Sequence, residues 1–213
     1  MQNVVPGLVS DLGSVEAALA DRAVADRRDA YAAEARRFID AALAVMRRTG
    51  AIDPAVRDVV REAGLSNQAF YRHFPSKDAL LLAVLADGQH RLVSYVEHRV
   101  ALVDEPLEQV ERWVEALMEQ ARHPDAAEAT RPFALNGARL HDEFPDETAA
   151  SREELVRTLR PAIAAAGGDE RDAELVHDLT MTRMNDALVH RRVPDREEIA
   201  HLVAFCLAAI DGR

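Results

Sequence analysis

The organisation of this chain is decided by residues 53–81, which read DPAVRDVVREAGLSNQAFYRHFPSKDALL. Two short helical patterns stand on either side of Gly64, a residue suited to the left-handed end of a helix. Asp53 and Pro54 predict the start of the first helix, as N-cap and first helical residue. Ser66 predicts the N-cap of the second. The stretch therefore predicts a helix-turn-helix.

The second helix of this motif is apolar on one side only. Phe70 and Phe74 are one turn apart and predict its buried face. The residues left outward are Asn67, Gln68, Tyr71 and Arg72. Asn and Gln amides can bind adenine through two hydrogen bonds, Arg can bind guanine, and Tyr and His can contact phosphates. The pattern is typical of a helix that enters the major groove of DNA.

The charge distribution supports this reading although the chain has a net charge of −11. Residues 27–77 contain ten Arg or Lys against six Asp or Glu, a net charge of +4, and the remainder carries −15. A basic N-terminal module joined to an acidic body is what a phosphate-contacting domain attached to a non-DNA domain should look like.

The rest of the chain is rich in Ala and Leu and follows helical periodicity, which predicts an all-α fold. The predicted helices span residues 14–29, 30–49, 54–63, 67–74, 76–103, 107–122, 126–140 with a break or kink at 132, 151–166, 171–190 and 195–210. We predict an N-terminal extension over 1–30 that begins as a flexible lead over 1–13. The rest of the extension could be an additional solvent-exposed helix or a basic arm that lies along DNA.

Residues 63–81, together with the Phe38–Leu43 stretch, closely resemble the signature of the TetR (tetracycline repressor) family, and the similarity covers about residues 31–90. Members of that family are helical homodimers. The resemblance implies a three-helix DNA-binding domain over 31–90 and a larger helical bundle over 91–213 that binds a small effector and dimerises. It implies a transcriptional regulator, a repressor that holds a palindromic DNA operator until an unknown small molecule releases it.

The resemblance also assigns roles to residues. Arg57 corresponds to a base or phosphate contact, and residues 67–69 to the base-reading stretch. Tyr71, His73 and Lys77 correspond to phosphate contacts, and Arg72 could make either contact. The full predicted DNA-binding set is Arg57, Ser66, Asn67, Gln68, Ala69, Tyr71, Arg72, His73 and Lys77. The predicted effector-pocket residues are Trp113, Met118, Phe133, Asn136 and Arg139. The last two helices are apolar enough to form a homodimer interface. Helices that are buried against the body of their own chain would show the same sequence pattern.

Other functions find little support in the sequence. The eight histidines lack the spacing of a zinc motif, and no catalytic elbow, phosphate loop or dinucleotide fingerprint occurs. We expect no metal, no cofactor, no catalytic residues and no enzymatic activity. No apolar stretch reaches membrane-spanning length and no signal peptide is evident, so we expect a cytoplasmic protein that makes no membrane contact. One alternative is a helical small-molecule-binding or interaction module that no longer contacts DNA.

Overall fold

A computed structural model describes residues 8–211 of the chain. These residues form helices and connecting turns without any strand, which confirms the all-α prediction. The helices are α1 (Leu8–Thr49), α2 (Val56–Ala63), α3 (Asn67–His73), α4 (Lys77–Val100), α5 (Pro106–Arg122), α6 (Pro124–Leu135), α7 (Gly137–Glu143), α8 (Pro145–Ala165), α9 (Glu170–Val189) and α10 (Arg196–Asp211). No helix within residues 8–211 is both long and apolar enough to cross a membrane.

The first helix is longer than its pattern predicts. We expect a lead over 1–13 and two helical segments after it, whereas α1 runs without a break from Leu8 to Thr49. Residues 1–7 of the predicted lead lie outside the described part of the chain. Ser14 therefore lies inside a helix and not at its start. After Pro6 the segment has no proline, and its single Gly13 costs only about 1 kcal/mol of helix propensity, which the surrounding Ala, Leu and Arg residues can offset.

Other predicted helix boundaries are also wrong, among them the start at residue 151, which lies inside α8. The second helix begins at Val56 with Ala55 as N-cap, not at the Asp53-Pro54 pair. Pro54 is buried, and the Asp53 carboxylate lies 3.5 Å from Arg139, so both residues serve tertiary contacts instead of the helix start. In the 126–140 segment the break falls at Asn136, while the proline at position 132 stays inside α6.

The apolar residues form two clusters. One lies at the N-terminal end of the molecule, where α1 to α4 bury Phe38, Met46, Val59 and Phe70. The other fills the body and draws mainly on α5, α8, α9 and α10. Helix α4 contributes Leu80, Leu81 and Val84 to the first cluster and Val93 and Val96 to the second. The same helix therefore belongs to both parts of the molecule.

Candidate functional site

The turn between α2 and α3 is built as the sequence predicts. Gly64 has a φ of 62°, in the left-handed region, and its N–H donates to the carbonyl of Arg61. Arg37 of α1 donates from Nη2 to the carbonyl of Ala63 at 2.6 Å, which satisfies an acceptor that the helix end leaves open. The turn is thus held from within and from α1.

Helix α3 is capped and anchored through its aromatic face. The Ser66 hydroxyl accepts a hydrogen bond from the N–H of Ala69 at 3.0 Å, which confirms Ser66 as N-cap. Phe70 is fully buried and meets Phe38 of α1 edge-to-face, with ring centroids 5.5 Å apart. Phe74 packs against Phe38 in the same manner at 6.1 Å. These contacts fix which side of α3 faces solvent.

The opposite side of α3 is a polar, solvent-exposed face. Asn67, Gln68, Tyr71 and Arg72 are all exposed, at positions that bring them to one side of the helix. The Tyr71 side chain is 59% exposed although it is aromatic. We call these four side chains the α3 face.

Two cations stand beside the α3 face. Lys77 opens α4, is exposed and forms no ion pair within residues 8–211. Arg57 on α2 has an 86% exposed side chain and only a 3.9 Å contact with the neighbouring Asp58 carboxylate. An exposed amide, a phenol and loosely held cations can together contact base edges and phosphates.

The C-terminal end of α3 is tied to α1 by a charged cluster. The Glu34 carboxylate pairs with the Arg72 guanidinium and lies 2.9 Å from His73 Nε2. Tyr31 donates from its hydroxyl to the carbonyl of Arg72 at 3.1 Å and packs its ring against His73. Hydrogen bonds from His73 and then Arg72 lower the pKa of Glu34 below its ordinary value. Glu34 therefore stays ionised and holds the end of α3.

This arrangement bears on three residues of the predicted DNA-binding set. His73 has a side chain only 1% exposed and engaged with Glu34, so it is directed into the domain and away from any phosphate. Ala69 lies on the buried side of α3. The Ser66 hydroxyl is used as a cap. The side chains of His73 and Ala69 therefore support the α3 face from behind, whereas Ser66 is exposed at the start of the helix.

A cavity of about 590 Å³ lies between the two parts of the molecule. Its walls come from α1 and α4 on one side and from α5 to α9 on the other, and apolar side chains such as Leu92, Leu155 and Met184 predominate. Of the five predicted pocket residues, only Phe133 lines this cavity.

The other four residues lie elsewhere. Trp113 is fully buried and donates from its indole N–H to the Thr158 hydroxyl. Met118 is buried in the core of the body. Asn136 donates to the carbonyl of the proline one turn earlier, and Arg139 pairs with Glu143 on its own helix. Each is occupied in a structural contact.

Among the polar residues of the cavity wall that sequence patterns do not reveal, one is buried. His177 lines the cavity, and its side chain is 6% exposed. It lies within an ordinary amphipathic stretch of α9 and has no metal-like partner spacing, so no pattern in the sequence marks it as facing a cavity. Glu34 and Tyr31 were missed for a similar reason, since their partners on α3 are about 40 residues away in the chain.

The last two helices expose apolar side chains. Leu175 on α9 is 66% exposed and Phe205 on α10 is 61% exposed. Ala204 is next to Phe205 in the chain, Ala208 follows about one turn later, and both are exposed as well. The other sides of both helices are buried against the body, with Val176 and Leu202 among the residues they contribute. Helices α9 and α10 therefore have an outward surface with exposed apolar side chains, which on α9 stand beside the exposed Arg171 and Asp178.

Comparison with known proteins relates the N-terminal part of the chain to a family. Residues 38–84 match the model of the bacterial regulatory proteins of the tetR family. The HTH-type transcriptional regulator SrpR of Pseudomonas putida is 43% identical over 70 residues, which are 32% of this chain and 33% of SrpR. The uncharacterized HTH-type transcriptional regulator TtgW of the same species is also 43% identical over 70 residues, 32% of this chain and 52% of TtgW. The match thus spans a third and about half of these relatives.

Solved structures extend the similarity to the whole fold. A TetR transcription regulator from Haloarcula marismortui has a TM-score of 0.69 at 18% identity, covering 85% of this chain and 98% of its own. GusR of Salmonella enterica has a TM-score of 0.67 at 17% identity, covering 84% and 96%. SrpR, TtgW and the Haloarcula marismortui protein are all described as transcriptional regulators.

Proposed function

We propose that this chain, a member of the TetR family of bacterial regulatory proteins, is a ligand-responsive repressor that binds a palindromic DNA operator as a homodimer. The observation that carries the proposal is the α3 face, a polar and exposed helix surface held rigidly by an aromatic core and flanked by two cations. Its residues lie within the segment that matches the family model. A helix-turn-helix that had lost DNA binding would have no need to keep this surface.

The residues divide the task between them. Asn67 and Gln68, at the start of α3, read base edges with their amides. Tyr71, Lys77 and Arg57 contact phosphates and fix the register on the duplex. Arg72 takes a different role, because the carboxylate of Glu34 already holds its guanidinium.

The outward apolar surface of α9 and α10 supports dimerisation. A second copy of the chain is the occupant that a two-fold operator requires, since a symmetric dimer presents two recognition helices to successive major grooves about 34 Å apart. Leu175 and Phe205 would be buried in that interface.

The cavity supports ligand control of DNA binding. Leu43 and Arg47 of α1 and several residues of α4 line it, and both helices also form the core of the DNA-binding part. Asp87 of α4 pairs with the cavity residue Arg91 and with Arg36 of α1. A bound molecule that separates these groups changes how α1 and α4 present α3, and so changes the spacing of the two recognition helices.

The test begins with duplexes selected from a random pool by the purified protein, followed by anisotropy titrations over a range of salt concentrations. Asn67→Ala or Gln68→Ala should relax base preference and cost roughly 1–3 kcal/mol on the selected site. Lys77→Ala should weaken binding to all sequences about equally and lower the salt slope by about one.

Arg157→Ala is the matched control, because Arg157 is an exposed arginine on α8 of the body, paired only with Glu97 at 3.6 Å. It should leave affinity, base preference and salt slope unchanged. A pool without two-fold symmetry would contradict the dimer, and unaltered binding by both α3 variants and the Lys77 variant would contradict the assigned DNA surface.

A further inference from the structure

The wall of the cavity carries no free charge. None of its lining residues within the described part of the chain is Asp or Glu, which disfavours a cationic ligand. Its arginines are Arg47, Arg91 and Arg152. Each already pairs with a carboxylate that does not line the cavity: Arg47 with Glu128 at 3.5 Å, Arg91 with Asp87, and Arg152 with Asp178 at 3.0 Å. An anionic ligand would have to compete with these partners, so the wall favours an uncharged molecule.

One ring nitrogen of His177, Nε2, is the buried polar atom of the wall that lacks a hydrogen-bond partner within the described residues. Its Nδ1 lies 2.8 Å from the Asp178 carboxylate, which Arg152 also contacts. A carboxylate can only accept, so Nδ1 carries the ring hydrogen. Burial, opposed by the bond to Asp178, lowers the pKa of His177 and keeps the ring neutral. In a neutral ring with hydrogen on Nδ1, Nε2 is an acceptor.

Nε2 of His177 is buried and accepts no hydrogen bond from any residue between 8 and 211. A buried acceptor without a partner is costly, and a molecule in the cavity that supplies a donor would remove that cost. The adjacent Asp178 fixes the tautomer from the other side of the ring. At this point the wall therefore favours a ligand group that donates a hydrogen bond to Nε2 and disfavours a ligand group that can only accept one.

We propose that the cavity binds an uncharged, largely apolar molecule that donates a hydrogen bond from a hydroxyl or N–H group to Nε2 of His177. This inference rests on the ligand-responsive part of the proposed function. The extent of the molecule follows from α9, where His177 and Asn185 line the cavity eight residues apart. Eight residues of α-helix span about 12 Å. A ligand that contacts both His177 and Asn185 therefore needs two polar groups separated by about the length of two linked aromatic rings.

The probes for the test are 4-phenylphenol, its methyl ether 4-methoxybiphenyl, and biphenyl-4-carboxylate, titrated calorimetrically into the full chain. The three share one apolar skeleton and differ in the donor. We expect the phenol to bind roughly tenfold tighter than the methyl ether, as expected for a hydrogen bond to an otherwise unsatisfied buried acceptor. The carboxylate should bind more weakly than the phenol.

Two variants assign the difference to His177. His177→Phe keeps an aromatic ring without an acceptor and should abolish the preference for the phenol. His177→Gln places an amide oxygen near the position of Nε2 and should retain part of it. A thermal melt of each variant establishes that it is folded before titration.

The outcomes separate this inference from the function on which it rests. Equal binding of phenol and methyl ether by the wild-type chain would overturn the role of His177, and tightest binding of the carboxylate would assign recognition to the arginines instead. Absence of binding by all three probes, in a protein that still binds its selected DNA, would overturn the ligand class and leave the regulator intact. Binding of the phenol by a protein that selects no DNA would support the ligand class and overturn the proposed DNA-binding function.

Discussion

The two functional regions of this molecule are built in opposite ways. The α3 face is a surface on one helix of seven residues, supported mainly by α1 and α2, the two helices that precede it in the chain. The cavity is a space between side chains of α1 and of α4 to α9, and its lining residues lie up to more than 100 residues apart in the sequence. A surface that must touch DNA leaves a local pattern of exposed and buried positions, whereas a cavity is defined by what several distant helices leave unfilled.

The two regions also differ in packing. Around Phe38 the aromatic rings of α1 and α3 interlock and the core is closed. Between this core and the body, in contrast, a volume of about 590 Å³ is left open. Substitutions of the same chemical kind should therefore have different consequences in the two regions.

The largest expected effect is that of Phe38→Ala. Phe38 is fully buried and contacts both Phe70 and Phe74, so its removal leaves a cavity that cannot collapse and should cost roughly 3–5 kcal/mol of unfolding free energy. Because Phe38 belongs to the N-terminal cluster alone, the loss should appear first there. Trp113, the only tryptophan of the chain, lies in the body and reports separately on that region. Helical circular dichroism should decrease at a lower urea concentration than Trp113 fluorescence changes.

Leu188→Ala is the matched control, since Leu188 is 1% exposed and belongs to the cluster of the body. It should shift the Trp113 transition itself. If Phe38→Ala moved both signals together with the wild-type cooperativity, the two clusters would unfold as one unit and the contrast between the regions would not extend to their stability.

Replacing one glycine in each region by alanine should change the unfolding free energy by a smaller amount, and in opposite directions in the two regions. Gly64→Ala forces a side chain into the left-handed region and should cost about 1–2 kcal/mol. Gly88→Ala lies inside α4 on the cavity wall, where an added Cβ meets nothing within 4 Å, and should stabilise the protein by up to about 1 kcal/mol. Thermal melts of the two variants measure both effects. Destabilisation by Gly88→Ala would mean that the cavity wall needs glycine there, for example for a close approach by ligand.

The difference between the regions also explains how far the sequence could be read. The helix-turn-helix was predicted because each of its features is local: Gly64 ends a helix, Ser66 caps the next, and the two phenylalanines mark one face. Where a residue had a partner outside the motif, the prediction was wrong or incomplete. Asp53 is drawn away from the helix start by Arg139, more than 80 residues later. His73 is turned inward by Glu34 of α1.

The cavity could not be predicted in this way. A helical stripe of apolar residues looks the same whether it fills a core, as at Trp113 and Met118, or lines an open space, as at Phe133. Periodicity gives the inward side of a helix and not the distance to the next one. His177 is recognisable only after α8 and α9 have been placed beside each other.

The smallest expected effect concerns the link between α1 and the α3 face. Glu34→Gln removes the carboxylate that holds Arg72, whose side chain is about half exposed. A freed guanidinium should reach a phosphate, so the variant should bind DNA slightly more tightly and with a salt slope steeper by about one unit. Anisotropy titrations at several salt concentrations measure this change. Glu62→Gln is the control, because Glu62 pairs with Arg48 at 3.2 Å and not with α3.

The same substitution has a pH signature that separates the charge of Glu34 from its packing. Since His73 and Arg72 lower the pKa of Glu34 in the folded state, the ionised carboxylate stabilises the fold at neutral pH. That contribution is lost as the pH falls from the ordinary pKa of a glutamate through the lowered one. Unfolding free energies of Glu34→Gln should consequently fall less steeply on acidification than those of the wild type. If the two acid profiles ran parallel while the salt slope still changed, Arg72 would be restrained by the geometry of α1 and not by the charge of Glu34.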